Sequence, residues 1–372
     1  MIRVAQVVGY MNGGGVEQVV MNYYRHLDRF QVQFDFLVCE GSTFVPRDEI
    51  EFMGGRVFMV PPYGQLSRYM QELERLFRSE RWPIVHSHVN TLSVFPLRAA
   101  KRAGVPVRIA HSHSSNGGSE GEAMRDALKT ILRRFSNVYP TYRFACGERA
   151  GGWLFGHAPF EIVPNAVDLS EFHPGEQDGC AMRAELGIPE EAFVLGHIGR
   201  MEPVKNHRRL LSIFSALLES TPDALLVFVG DGALMDNVRV EAARIGIESR
   251  VLFLGQRPDA ARLYRAFDVF CLPSVYEGFP VVAVECQASG TPILASDAVS
   301  PEVAVTSLME FEPLGSSDQE WACHILAMKG RCRARSDKEG LREFDIVKAS
   351  RQLLEKYLSL SCEVQDEDGD LR

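Results

Sequence analysis

A chain of 372 residues is long for one core and points to two domains of ordinary size. Its 46% hydrophobic and 24% charged residues are an ordinary soluble composition, and no run approaches the ~18 uncharged apolar residues of a membrane-spanning helix. A net charge of -9 goes with no nucleic-acid partner, and eight cysteines without a Cys-x-x-Cys pair read as reduced thiols, with neither a zinc site nor a disulfide framework.

The first residues, Met1-Ile-Arg-Val-Ala-Gln-Val-Val-Gly9, read as a strand and not as a signal peptide, so the chain is expected in the cytosol. Asn12-Gly-Gly-Gly-Val-Glu17 then opens a helix through about Leu27. Gly14 and Gly15 bring backbone N–H groups to its start, suited to a phosphate or an acceptor hydroxyl, with Glu17 on the acceptor side. Further strands are predicted at residues 34–39, 56–60, 84–87 and 107–110. The last two end in His86-Ser-His88 and His111-Ser-His113. Period-two spacing puts both histidines of a pair on one strand face, so four imidazoles can meet. They form either a zinc site, against which stands the lack of a Cys or carboxylate at matching spacing, or a set of hydrogen-bonding groups at strand ends.

Charge is uneven along the chain. From Arg98 to Arg149, ten Lys/Arg stand against four Asp/Glu, which marks one basic segment in an acidic protein. Within it, residues 122–135 carry Met124, Ala127, Leu128, Ile131, Leu132 and Phe135 at helical spacing beside Arg125, Lys129, Arg133 and Arg134. This basic amphipathic helix is either an ordinary helix with a solvated face or a peripheral contact with an anionic membrane at the inner face of the cell, where a lipid-linked acceptor would be found.

The pattern breaks near residues 162–168 and then repeats. Phe193-Val-Leu-Gly-His-Ile-Gly199 reads as a strand feeding Arg200-Met-Glu-Pro-Val-Lys205-Asn and a helix through about Leu218. Strands are predicted at 225–229, 251–254, 269–272 and 292–295, with helical stretches between many of them, so each half is a doubly wound parallel α/β domain. After Arg342, the spacing of Ile346, Ser350, Leu353, Leu354, Tyr357 and Leu358 predicts a last helix that crosses back to the first domain. The domains are therefore 1–165 with 343–360, and 166–342; the acidic tail 361–372 is expected to be disordered.

Two sets of residues in the second half carry the chemistry. Arg200 and Lys205 flank the first turn after a strand, where two cations can neutralise a diphosphate leaving group. Pro273-Ser-Val-Tyr-Glu277-Gly-Phe-Pro280 joins a buried-type strand to a helix whose start faces an anion, with Pro280 suited to its first position. Glu285 sits in the apolar run Val281-Val-Ala-Val-Glu-Cys-Gln-Ala and requires a partner. That partner is either a sugar or ribose hydroxyl, or an Arg or Lys elsewhere with Glu277 then merely solvated.

The Glu277-x7-Glu285 spacing, Gly290-Thr-Pro at the helix end and Gly199-Arg-x-x-x-x-Lys205 together resemble the donor site of retaining glycosyltransferases of family 4. The resemblance spans about residues 1–360 and is strongest over 193–295. It implies the GT-B fold, two Rossmann-like domains facing a cleft, and a nucleotide-sugar donor with a glycan or lipid-linked acceptor. It also implies Glu277 for the donor sugar, Glu285 for the ribose, Gly278, Phe279 and Pro280 in the donor loop, and Asn165 at a hinge turn. His113, or else His111, would lie close to donor sugar and acceptor; Ser114 follows where the family usually has Asn or Asp. The runs Arg108-Ile-Ala-His-Ser-His113 and Ser300-Pro-Glu-Val303 look closest to bacterial exopolysaccharide or capsule enzymes, whose donors are commonly UDP-hexoses.

The implied route is front-face substitution with retention, in which the leaving phosphate accepts the acceptor's proton. No metal or cofactor is called for, since Asp-x-Asp occurs only in the acidic tail. Three alternatives compete. A nicotinamide-dependent dehydrogenase would use Gly13-Gly-Gly15 and Glu40, but Gln18 stands where the third glycine of its fingerprint belongs. A sugar-nucleotide epimerase, or a silent sugar-binding protein, would use the same fold.

Overall fold

A computed structural model describes residues 1–114, 123–330 and 338–369. The chain forms two compact units, Met1–Ala166 with Glu343–Arg372, and Val167–Arg342. In the first, the apolar runs Ile2–Gly9 (β1) and Val32–Cys39 (β2) are buried along nearly their whole length. Continuous burial of this kind belongs to parallel strands covered on both faces. With Arg56–Val60 (β3), Ile84–Ser87 (β4), Val107–Ser112 (β5), Tyr142–Ala145 (β6) and Glu161–Ile162 (β7) they make one sheet in the order β3-β2-β1-β4-β5-β6-β7, every pair parallel.

On one face, Leu37, Tyr69, Leu73, Phe77, Trp82 and Val85 form a core. The last helix, Ile346–Gly369, belongs to this unit: Leu353, Tyr357 and Leu360 are buried, and Tyr357 meets Phe34 edge-on. It continues to Gly369, into the stretch expected to be disordered. Tyr142 Oη donates to Glu363 at 2.5 Å and Lys356 pairs with Glu161 at 2.6 Å, so the helix is docked ahead of its acidic end. Extending a docked helix fixes one residue per hydrogen bond without a new nucleus.

The second unit repeats the plan with Val194–Ile198 (β8), Leu225–Val229 (β9), Val251–Phe253 (β10), Val269–Leu272 (β11), Ile293–Ser296 (β12) and Met309–Glu312 (β13). Its order, β10-β9-β8-β11-β12-β13, is again wholly parallel. Strand order therefore reverses beside β1 in the first sheet and beside β8 in the second. In open α/β sheets the crevice at such a reversal, outside the carboxyl ends of the strands, is where ligands bind. Among the described residues, no helix is long and apolar enough to cross a membrane.

Candidate functional site

In the second unit, the loops leaving β8 and β11, on the two sides of the reversal, are stitched together. A short turn, Pro203–Lys205, forces Asn206 to φ 56°, a conformation asparagine tolerates better than most residues. Asn206 Nδ2 then donates to the Pro273 carbonyl at 3.1 Å, and the Val275 amide donates to the Val204 carbonyl at 2.9 Å. The second loop is also pinned from its other side, because Glu277 pairs in parallel with Val299 and the Ser300 amide donates to the Glu277 carbonyl at 3.1 Å.

This stitching places Lys205 Nζ 2.5 Å from Glu277 Oε1, both side chains largely buried, with Ser274 Oγ donating to the same oxygen at 3.2 Å. Arg200 pairs with Glu202 at 2.9 Å in a more exposed position. Lys205 and Glu277, read in the sequence as partners of diphosphate and sugar, thus hold each other.

Pro280 is the cap of the following helix, Val281–Ala288, and not its first residue. Its extended backbone delivers the Phe279 side chain into the interior, where it is buried along with most of the helix. Gly290 ends the element at φ +76°, a conformation that only glycine adopts freely. Glu285 is 8% exposed, and its partner is Tyr264, whose Oη donates to the carboxylate at 2.9 Å. Burial raises the Glu285 carboxyl to about 7, against the lowering effect of that one hydrogen bond. Among the described residues, no Arg or Lys forms an ion pair with it. Sequence reasoning required a partner for Glu285 but did not find Tyr264; a tyrosine inside an apolar helical run was the available signal.

In the first unit, Gly14 caps the helix Gly15–His26. The amides of Gly14 and Asn12 donate to Glu17 Oε2 at 2.7 and 2.9 Å, so the carboxylate read as an acceptor-side group closes its own helix start and takes one of the amides expected to face a ligand.

The four histidines do meet. His86 and His88 lie on or just beyond β4 with ring centroids 4.1 Å apart; His111 and His113, on or just beyond β5, are 3.9 Å apart and stacked. Hydrogen bonds join the pairs, His86 Nε2 to His111 Nδ1 at 3.1 Å and His88 Nδ1 to His113 Nε2 at 2.9 Å. Two further residues close the set: His86 Nδ1 meets Tyr357 Oη at 2.6 Å, and His88 Nε2 meets Gln6 Oε1 at 2.8 Å. Burial holds all four histidines below the usual imidazole value, His113 at about 4, so they are neutral near pH 7. His86, His88 and His111 offer ligand atoms within 4.8 Å of one another, a spacing open to a metal ion. The backbone amide of His113 donates to Asn90 Oδ1 at 2.9 Å, and Asn165 lies beside the His113 side chain. Gln6 and Asn90 were not singled out in the sequence, and Tyr357 was read only as a packing position of the last helix.

The basic segment forms the helix Ala123–Arg133; residue 122 and the side chains of Met124 and Arg125 lie outside what is described. Leu132 is buried, but Leu128, Ile131 and Phe135 are 50, 55 and 46% exposed. Its apolar side is therefore only partly covered by the unit.

Residues 14–166 match the family described as glycosyl transferase 4-like domain, and residues 180–308 match glycosyl transferases group 1. EpsF of Bacillus subtilis (strain 168), which bears the name of a glycosyltransferase, is 38% identical over 358 residues, covering 92% of either chain. The UDP-Gal:alpha-D-GlcNAc-diphosphoundecaprenol alpha-1,3-galactosyltransferase of Escherichia coli is 26% identical over 314 residues, 80% of this chain and 79% of that one. Among solved structures, Anabaena HepE in complex with UDP and glucose superposes with a TM-score of 0.79 at 20% identity, over 96% of this chain and all of the other. WaaG, a glycosyltransferase involved in lipopolysaccharide biosynthesis, gives 0.69 at 16% identity, over 98% of this chain and 99% of the other.

Proposed function

The chain belongs to the GT-B glycosyltransferases of family 4, and we propose that it moves a hexose from a UDP-sugar to a glycan or lipid-linked acceptor, with retention and without a metal. The observation that carries this reading is the pairing of Lys205 with Glu277 at the strand-order reversal of the second unit, beside the buried Glu285 carboxylate, which accepts from the Tyr264 hydroxyl. Arg200 and Lys205 are assigned to the diphosphate, Glu277 to the sugar hydroxyls and Glu285 to the ribose. Gly278, Phe279 and Pro280 shape the loop that carries Glu277, Gly14 and Gly15 are assigned to the donor side of the first unit, and His113 to the reacting sugar.

In the proposed step, the bond from the anomeric carbon to the phosphate oxygen breaks as a bond to the acceptor oxygen forms on the same face. The departing phosphate takes the acceptor's proton, while Arg200 and Lys205 offset the growing negative charge. The protein contributes position and electrostatics, the terms worth most in such transfers. A lipid-linked acceptor is favoured by the Escherichia coli relative, whose name specifies a diphosphoundecaprenol acceptor, and by the exposed Leu128, Ile131 and Phe135 beside Arg133 and Arg134. These residues suit peripheral contact with an anionic membrane. Incubation of the protein with radiolabelled UDP-hexoses and undecaprenol-diphosphate-linked sugars tests the reading. Label should enter the lipid fraction from a UDP-sugar; label converted in the donor alone would instead reveal an epimerase.

A further inference from the structure

We propose that His197 is a positioning residue for Lys205, whose ammonium donates to the His197 Nε2 lone pair once a bound sugar shares Glu277. The inference rests on the proposed assignment of Lys205 to the diphosphate and of Glu277 to the sugar. It starts from the sheet. At the strand-order reversal of the second unit, the β8–β11 ladder stops at the pair Gly196–Phe270, while β8 stays paired with β9 as far as Ile198 and β11 with β12 as far as Leu272. The two strands therefore part at their carboxyl ends. His197 spans the gap, with its Nδ1 2.8 Å from the Cys271 carbonyl oxygen. Burial holds the ring well below the usual imidazole value, so it is neutral near pH 7. A carbonyl oxygen can only accept, so Nδ1 carries the single proton and Nε2 is a bare lone pair.

That lone pair calls for a donor. His197 is wholly buried, and among the described residues its Nε2 has no hydrogen-bond partner. Buried acceptors of this kind are few in native proteins, and each requires an explanation. His207, the first residue of the helix His207–Ser220, packs edge-on against the ring with centroids 4.9 Å apart, yet neither of its own nitrogens has a partner. Lys205 is a donor within reach. A Cβ built on Gly199 would lie 3.4 Å from His197 Nε2 and 3.3 Å from Lys205 Cε, so the lone pair and the lysine stem face the same small space, which Gly199 leaves open. Nζ is one bond beyond Cε, on a flexible stem.

Lys205 offers three N–H groups, and its pairing with Glu277 Oε1 uses one of them. Sugar hydroxyls that donate to Glu277 compete for that carboxylate, so the ammonium needs a second anchor to stay on the phosphate. An imidazole lone pair suits the task. It orients the ammonium and adds no negative charge, whereas a second carboxylate would offset the charge that Lys205 presents to the departing diphosphate.

Two near-isosteres separate this role from a structural one. The amide nitrogen of Asn can stand where Nδ1 does and keep the Cys271 bond; the amide oxygen of Gln can stand where Nε2 does and keep the acceptor. His197→Gln should therefore retain most of the turnover. His197→Asn should lower kcat roughly ten-fold, the loss of one hydrogen bond to a charged group, with UDP affinity unchanged because Glu277 still anchors Lys205 when no sugar is bound. A purely structural His197 predicts the reverse order. The lone pair is read directly by long-range ¹H–¹⁵N correlation on full-length protein labelled at histidine, at pH 7.5, with the His197 signals assigned by their loss in His197→Asn. They should show a protonated Nδ1 and a bare Nε2, and the Nε2 resonance should move upfield on adding UDP-glucose or UDP-galactose, and less on adding UDP. A protonated Nε2 in the free protein, an Nε2 resonance unmoved by a UDP-hexose that binds or moved equally by UDP, or an Asn variant faster than the Gln variant would overturn the proposal alone. If neither variant folds, the wild-type spectra decide, with the signals assigned by difference from the other histidine variants. A protein that binds neither UDP-hexose nor UDP would refute the functional reading, and the proposal with it.

Discussion

Glu285→Gln separates what the buried carboxylate costs from what it does. Protonated Glu285 offers an acceptor to Tyr264 and one donor; glutamine has nearly the same shape and also offers both, so it stands in for the protonated form. Burial raises the carboxyl from 4.5 to about 7, and at 1.36 kcal/mol per unit that amounts to about 3 kcal/mol between the two protonation states. The sign follows from the direction. A folded-state value above the unfolded one gives stability that is complete below the unfolded value and is lost as pH rises through the folded one. The wild type should therefore weaken between about pH 4.5 and 7 through this group, whereas the variant has nothing there to titrate.

Near pH 5 the two proteins should melt close together; at pH 8.5 the variant should be more stable by up to about 3 kcal/mol, or roughly 5 to 10 °C for a domain of this size. Binding should move the opposite way. If ribose hydroxyls are the true partners of the ionised carboxylate, each charge-assisted bond is worth ~1.5 to 3 kcal/mol, so UDP affinity should fall ten-fold or more in the variant. Wild-type affinity should also weaken below pH 7 by a component that the variant lacks. Scanning calorimetry across pH 5 to 8.5 and titration calorimetry with UDP measure both effects. A variant destabilised equally at every pH, or one that binds UDP as well as wild type, would refute the reasoning.

Glu277→Gln removes the charge that holds Lys205 in the free protein, so UDP should bind as tightly as before or more so, while the UDP-sugar binds less well and turnover falls; equal weakening of both ligands in titration calorimetry would contradict the assignment. Transfer activity should survive EDTA and change little with added Mn²⁺, and abolition by chelator with rescue by metal would remove the proposed route. Replacing Leu128, Ile131 and Phe135 by Ser, or Lys129, Arg133 and Arg134 by Glu, should abolish sedimentation with anionic liposomes while leaving UDP binding intact; a wild type that fails to sediment at low salt would show this side to be an ordinary solvated surface.

Much of the architecture is legible in the sequence because buried parallel strands announce themselves as apolar runs. The stretches at 56–60, 84–87, 225–229 and 269–272 can be read to the residue. β6, β7 and β13 cannot: β7 has two residues, both exposed, and β13 reads Met-Glu-Phe-Glu, with burial falling on one residue in four. Pairing of the histidines follows from period-two spacing, but their closure by Gln6 and Tyr357 joins residues that local pattern cannot connect across so much chain. Glu285 visibly needs a partner, yet Tyr264 lies 21 residues away on another element. The Lys205–Glu277 pair escaped for a different reason. Each residue was assigned to a ligand, so neither was weighed as a partner for the other, although their loops are tied together by the Val275–Val204 hydrogen bond.

The central claim is that the loops after β8 and β11, with Glu285 behind them, hold a uridine diphosphate sugar. It is tested most directly by calorimetric melting of wild type and Glu285→Ala in the presence of UDP, GDP, ADP and dTDP. UDP should stabilise the wild type by ~2.7 kcal/mol at a hundred times its dissociation constant. The other nucleotides should stabilise it less at equal concentration, and most of the UDP effect should be lost in Glu285→Ala. Stabilisation by UDP that is undiminished in Glu285→Ala, or matched by GDP or ADP, would contradict it.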